Sequence, residues 1–267
     1  AVPGVKWAKK VFPELPKGRA VEKLWEVILS CSRALEGDPE ENWRLHNLEL
    51  KARADRLNAM GLVSLEYRSA HGTDLKVGLI PEALFLGGAE RCPVNGVLYD
   101  PNIPSEELFI TPKAGSAEGI VHATMPLVFQ GILIEDFWLR FEGGKVTELH
   151  AEKNEEALRT LVSMDEGAAM LGECALVPYA SPIRESGILF YNTLFDENAA
   201  CHLALGRGYS SNIRDYENYS LEELRAMGVN DSMVHEDFMI GSEDLSITGV
   251  TAAGERVAIF RDGGWAF

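Results

Sequence analysis

Three short segments set carboxylates and imidazoles among apolar residues, where such groups are rarely left unpaired. The first is Val234-His235-Glu236-Asp237-Phe238-Met239-Ile240-Gly241. Its alternation predicts a strand, in which side chains two apart share a side. His235 and Asp237 then face together, with Val234, Glu236 and Phe238 opposite. An imidazole nitrogen beside a carboxylate oxygen suits a borderline divalent ion such as zinc, cobalt or manganese. The same pair also makes sense as a His–Asp hydrogen bond on a sheet face. The second segment runs from Tyr191 to Gly206 and carries Asp196-Glu197-Asn198 and, five residues after Glu197, His202. A helix over 196–205 is predicted, placing Glu197 near its start, where the helix dipole favours an acid. On a regular helix Glu197 and His202 sit about 140° apart, so they share a site only if Glu197 lies in an irregular first turn. The spacing is not His-Glu-x-x-His, so that zinc-peptidase mechanism is not implied. The third segment is Leu171-Gly172-Glu173-Cys174-Ala175-Leu176-Val177-Pro178. There Glu173 is expected between a short helix over 165–173 and an apolar strand. It is either an exposed helix-end acid or a buried acid with a partner or a metal.

The remaining histidines read as structural: His46 on an exposed-looking helix, His71 in a Gly-rich turn, His122 and His150 in strands without a nearby partner. The elements that must position these groups follow from periodicity and punctuation. Val21, Leu24, Trp25, Ile28 and Cys31 share one face of a helix over 20–35. Asp38-Pro39-Glu40-Glu41 opens a second helix to about Asn58, with Asp38 at the N-cap and Glu41 able to close a capping box. Alternating stretches then predict strands at 63–67, 75–79, 107–111, 119–123 and 127–134. A hairpin follows, 136–142 and 145–151 around Gly143-Gly144. Asn154 caps a helix to about Val162, a strand is predicted over 187–191, and Ser220-Leu221-Glu222-Glu223 is another capping box. Strands close the chain at 233–240, 245–250 and 256–260. Helices, then a long run of hairpin-linked strands, then a mixture argue for α+β, with a largely antiparallel or mixed sheet, curled towards a partial barrel and flanked by helices.

Composition bounds the functions. With 25 basic and 41 acidic residues the formal charge is −16, a surface that repels phosphate backbones, so a nucleic-acid partner is not expected. No apolar run approaches the roughly 20 residues of a membrane helix, and no signal peptide opens the chain. The four cysteines, Cys31, Cys92, Cys174 and Cys201, form no Cys-x-x-Cys pair and read as reduced thiols of a cytoplasmic protein. The Pro/Lys-rich start at Ala1 reads as a linker or domain-boundary segment over 1–19, so the natural protein is expected to be longer.

Taken together, Gly172 to Pro178, Ser181-Pro182-Ile183, Phe190 to Ala199, His202 to Gly206 and His235-x-Asp237-Phe238-Met239-Ile240-Gly241 resemble the thermophilic metalloaminopeptidase family, which includes aminopeptidase T, aminopeptidase S and the PepS type. Asn102 to Pro112, Ile134 to Phe141 and Gly264 to Phe267 match as well, so the resemblance spans nearly the whole chain. It implies a metallopeptidase catalytic domain over 1–267, two divalent ions (zinc, cobalt or manganese), a homodimer, and peptide substrates with a free N-terminus. By motif, the implied metal ligands are Glu107, Glu173, His202, His235 and Asp237, with Glu107 taken over its neighbour Glu106 on spacing. Glu197 falls on the position regarded as catalytic and Tyr209 on the family's active-site tyrosine. The implied reaction is hydrolysis of the N-terminal peptide bond by a water activated between two ions about 3.5–4 Å apart. Glu173 would bridge the ions, Glu197 would move the proton, and Tyr209 would donate to the oxyanion. Family members carry a further α/β domain before this one, which the sequence lacks. The rival expectations are a different two-metal hydrolase, such as a phosphoesterase, and an isolated metal-binding or dimerisation domain without activity.

Overall fold

The computed structural model describes residues 2–267. Helices come first: α1 (Val5–Val11), α2 (Lys17–Cys31) and α3 (Pro39–Ala59). Asp38 caps α3 by accepting from the Glu40 and Glu41 amides. Glu41 does not close a box; its carboxylate pairs with Arg44 instead. Strands follow: β1 (Leu62–Arg68), β2 (Asp74–Gly78), β3 (Glu90–Arg91), β4 (Leu98–Tyr99), β5 (Leu108–Ile110), β6 (Glu118–His122), β7 (Leu127–Phe129), β8 (Ile132–Glu142) and β9 (Lys145–Lys153). Then come α4 (Glu155–Val162), β10 (Leu171–Leu176), α5 (Pro182–Glu185), α6 (Thr193–Asp196), a 3-10 turn (Glu197–Ala199), β11 (His202–Gly206) and α7 (Leu221–Met227). The last strands are β12 (His235–Met239), β13 (Ser246–Thr251), β14 (Arg256–Arg261) and β15 (Gly264–Trp265).

The fold is α+β with antiparallel sheets. The larger sheet has nine strands in the order β15-β14-β13-β1-β2-β6-β8-β7, with β9 also paired to β8. It does not close into a barrel, so the curling expected from sequence stops at an open sheet. The smaller sheet has four strands, β12-β11-β10-β5. One apolar core joins the two: Leu65, Tyr67, Leu139 and Phe141 from the large sheet cluster with Cys174, Leu176, Leu203, Leu205 and Phe238 from the small one. The Phe137 and Phe238 rings meet at 5.8 Å between centroids.

Alternation within the small sheet decides what faces the core. Cys174, Leu203 and Phe238 form one directly paired row turned towards it. Glu173, Ala204 and Asp237 form the adjacent row, and they point the other way. His202 and His235 lie two residues from Ala204 and Asp237 on their strands, so they share that outward side. A bulge at Gly172, between Leu171 and Glu173, aims the carboxylate. A Cβ at Gly172 would stand 2.3 Å from the Gly206 and Arg207 carbonyls, so only glycine fits this close approach.

A second core cluster gathers Ala8, Ala20, Leu24, Val27, Ile28 and Cys31 from α1 and α2 with Ile183, Phe190, Phe195 and Ala199. Trp7 donates to the Phe190 carbonyl at 2.6 Å, and Phe190 stacks on Phe195 at 4.7 Å. Residues 5–11 of the stretch expected to be a linker are thus helical, and they brace the segment that carries Glu197.

Several local expectations are corrected. The helix expected over 196–205 is a short helix and one 3-10 turn followed by a strand. The helix expected over 165–173 is a turn leading into β10, all six residues of which are buried. No strand forms over 187–191; Tyr191 there adopts a left-handed φ of 54°. His46 is buried at 8% exposure and bonds the Ser105 carbonyl at 2.8 Å. His150 has partners, Glu155 at 2.8 Å and Glu152 at 3.4 Å.

Candidate metal centre

The outward row of the small sheet opens into a cavity of about 250 Å³. Glu107, Glu173, Glu197, His202, Tyr209, His235 and Asp237 all line it. The structure therefore gathers at one place every residue that the resemblance implied, from segments spread over 131 positions, 107 to 237. Sequence reasoning from residues alone reached Glu173, Glu197, His202, His235 and Asp237. It did not reach Glu107 or Tyr209, which lie among ordinary strand and loop residues and become neighbours of the others only through sheet pairing.

Within the cavity the donors form two sets. Glu107, Glu173 and His202 offer atoms that all lie within 4.8 Å of one another, and so do Glu173, His235 and Asp237. Glu173 belongs to both. His202 Nε2 lies 3.2 Å from Glu107 Oε2. His235 Nε2 lies 3.1 Å from Glu173 Oε2 and 3.3 Å from Asp237 Oδ1. The second imidazole nitrogens are committed elsewhere: His202 Nδ1 sits 3.1 Å from the Ala200 carbonyl and His235 Nδ1 sits 2.7 Å from the Arg207 carbonyl. A carbonyl only accepts, so each Nδ1 carries the proton and each Nε2 is turned into the cavity as a potential ligand. Asp237 Oδ1 is buried with no hydrogen-bond partner, because its 3.3 Å approach to His235 lacks the alignment of a bond. An orphaned buried carboxylate oxygen amid imidazoles and further carboxylates fits a cation. Ala204, in the row between Glu173 and Asp237, contributes only a methyl group and leaves the space clear.

Glu106 takes a different place. Arg33 pairs with both of its oxygens and His46 Nε2 lies 3.8 Å away, so Glu106 joins neither set. Tyr209 is fixed through its backbone, which donates to Thr111 Oγ1 at 2.8 Å and accepts from it at 3.0 Å. Its hydroxyl reaches His235 Nε2 at 3.3 Å. Glu197 stands on the 3-10 turn, facing the cavity from outside the sheet.

Crowding sets the electrostatics. Burial and the neighbouring Glu107 and Asp237 push Glu197 up to about 9. Burial pushes Glu173 up to about 7, against the pull of His235. Burial alone would lower the histidines, but the carboxylates outweigh it, raising His202 to about 10 through Glu107 and His235 to about 11 through Asp237 and Glu173. Burial also works against the charge on Asp237, yet His235 and His202 hold it below the usual value. Burial raises the Tyr209 phenol, as do the surrounding carboxylates, so it stays a donor. The carboxylates of the cluster thus favour added positive charge, whether carried by protonated imidazoles or by a cation.

The chain is similar to known proteins. The family model described as thermophilic metalloprotease (M29) matches residues 1–265. Aminopeptidase 2 of Geobacillus stearothermophilus is 47% identical over 267 residues, covering 100% of this chain and 64% of that protein. Aminopeptidase T of Thermus aquaticus is 46% identical over 259 residues, covering 97% of this chain and 62% of that protein. The structure of wild-type AmpT from Thermus thermophilus superposes with a TM-score of 0.90 at 42% identity, over 99% of this chain and 64% of that one. The chain thus spans somewhat less than two thirds of these relatives. With the match running along almost its full length and the outward face of the small sheet bearing the donors, the chain belongs to the thermophilic metalloprotease (M29) family.

Proposed function

We propose that this chain is the catalytic domain of a metal-dependent aminopeptidase that hydrolyses the N-terminal peptide bond of peptides. The observation that carries this reading is the sharing of Glu173 between two adjacent donor sets in one cavity. On this reading Glu107, Glu173 and His202 hold one divalent ion and Glu173, His235 and Asp237 hold a second. Zinc, cobalt and manganese all suit these nitrogen and oxygen donors. When bound, such a pair polarises a carbonyl and acidifies a water.

The chain's own groups do the rest. Glu197 accepts the proton of the attacking water and returns it to the leaving amine, as its place in the cavity beside both donor sets supports. The Tyr209 hydroxyl donates to the oxygen that gains charge as the carbonyl is attacked. The carboxylates attract a substrate ammonium, and among the described residues no Lys or Arg lines the cavity to oppose it. The reading extends to a two-domain, cytoplasmic homodimer whose further α/β domain precedes residue 1. No helix among the described residues is long and apolar enough to cross a membrane.

The test is metal quantitation on protein purified without chelator, followed by assays on an aminoacyl-p-nitroanilide and on p-nitrophenyl phosphate, each with and without chelator. Chelator-sensitive anilide hydrolysis with two ions per chain is expected. Phosphate hydrolysis would favour a phosphoesterase. Bound metal with no turnover would leave a binding domain.

A further inference from the structure

We infer that Asn198 is a positioning residue that ties the acid–base carboxylate Glu197 to the segment delivering Glu107; this rests on the roles proposed above for those two residues. Asn198 is fully buried, at 0% exposure, and its side-chain amide bonds Glu106, Leu194 and Glu197. Its Oδ1 accepts the Glu106 amide at 2.7 Å, across 92 positions of sequence. Its Nδ2 donates to the Leu194 carbonyl at 3.1 Å and lies 3.4 Å from Glu197 Oε1. One amide group therefore spans from the backbone next to Glu107 to the oxygen of Glu197 itself.

The other polar groups of the 105–107 segment are fixed from the opposite side. His46, on α3, bonds the Ser105 carbonyl. Arg33, just after α2, grips the Glu106 carboxylate with two nitrogens. With those two anchors holding the segment to the helices, Asn198 is the link that sets its distance from the 3-10 turn. Both requirements demand a side chain with an acceptor and a donor on one planar group. Asp supplies only acceptors, and Ala supplies neither.

Two substitutions test this on the intact chain. Asn198→Ala cuts both links. It is expected to weaken zinc binding about 10–100-fold, measured by competition with a chromophoric chelator. Asn198→Asp keeps the acceptor for the Glu106 amide and the shape of the residue, but loses the donor to Glu197. It is expected to keep zinc affinity near the wild-type value while kcat falls about 10–100-fold. A purely structural Asn198 would lower the melting temperature and leave zinc affinity in the Ala variant and kcat in the Asp variant at their wild-type values; either unchanged value overturns the inference. If wild-type protein hydrolyses no peptide substrate, the peptidase reading fails and the zinc measurement alone decides the role of Asn198. If the Ala variant cannot be recovered folded, the kcat of the Asp variant decides it.

Discussion

Glu173 carries more of the site than any neighbour, because it alone among the described residues belongs to both donor sets. Replacing it with Gln keeps the shape but removes the charge that two cations would share. Glu173→Gln is therefore expected to reduce bound metal to one ion per chain or fewer, read by elemental analysis. Two ions retained in that variant would rule out the bridging role proposed for Glu173. Glu197 is expected to behave differently. It joins neither donor set, so Glu197→Gln should leave metal content unchanged while kcat falls about 10²–10⁴-fold. A loss of metal in that variant would reassign Glu197 as a ligand. The residue types of both acids were legible in the sequence as odd polar choices among apolar neighbours. Their partners were not, since the nearest donor to His202 is Glu107, at a separation of 95 positions.

At the scale of elements, the site depends on one antiparallel sheet whose two faces do opposite work. Ala204 shows how narrow the margin is. Directly opposite residues have Cβ atoms about 5 Å apart, and Ala204 is opposite both Glu173 and Asp237. Ala204→Leu is expected to fill the space between the carboxylates and abolish metal binding, with far-ultraviolet circular dichroism unchanged. Metal retained at the wild-type stoichiometry would show that the ions sit elsewhere. Gly206 closes the same strand with φ of 99°, and a Cβ there would lie 2.1 Å from the Val234 carbonyl. Gly206→Ala should destabilise the fold by about 2 kcal/mol or more, measured by urea unfolding. It also displaces the adjacent Arg207 carbonyl that orients His235.

For the molecule as a whole, the cluster makes the ion-free fold sensitive to pH. Glu173 and Glu197 hold protons to about 7 and about 9, and His202 and His235 to about 10 and about 11. Each value exceeds that of an unfolded chain, about 4.3 for Glu and about 6.5 for His. The native state thus binds more protons than the unfolded state, and stability falls as pH rises through this window. The stabilising histidine contribution is complete only below about pH 6.5, and the carboxyl contribution only below about pH 4.3. Chelator-treated protein is expected to melt at a lower temperature at pH 9 than at pH 6, and metal-loaded protein should lose much less, because cations replace those protons. A flat melting profile without metal would contradict the crowding. The same core that holds the sheets together sets overall stability: Phe238→Ala, at 1% exposure, should cost about 3–5 kcal/mol.

The sequence by itself determined the elements whose signals are local. Asp38 and Ser220 cap their helices, and Ser220 closes its box with Glu223. Gly143-Gly144 turns the hairpin of β8 and β9. Alternation at 235–239 puts His235 and Asp237 on one side. The ordered motif blocks fixed the family. Only the tertiary structure decided that His202–Gly206 is a strand and that the strand carrying Glu173 starts as early as Leu171. A run buried on both faces has no polar side to reveal its period, so a buried strand reads like a buried helix. It alone decided that His46 is buried and that residues 5–11 brace the Glu197 segment. Those outcomes depend on pairings between distant segments, and local periodicity carries no information about which strand lies beside which.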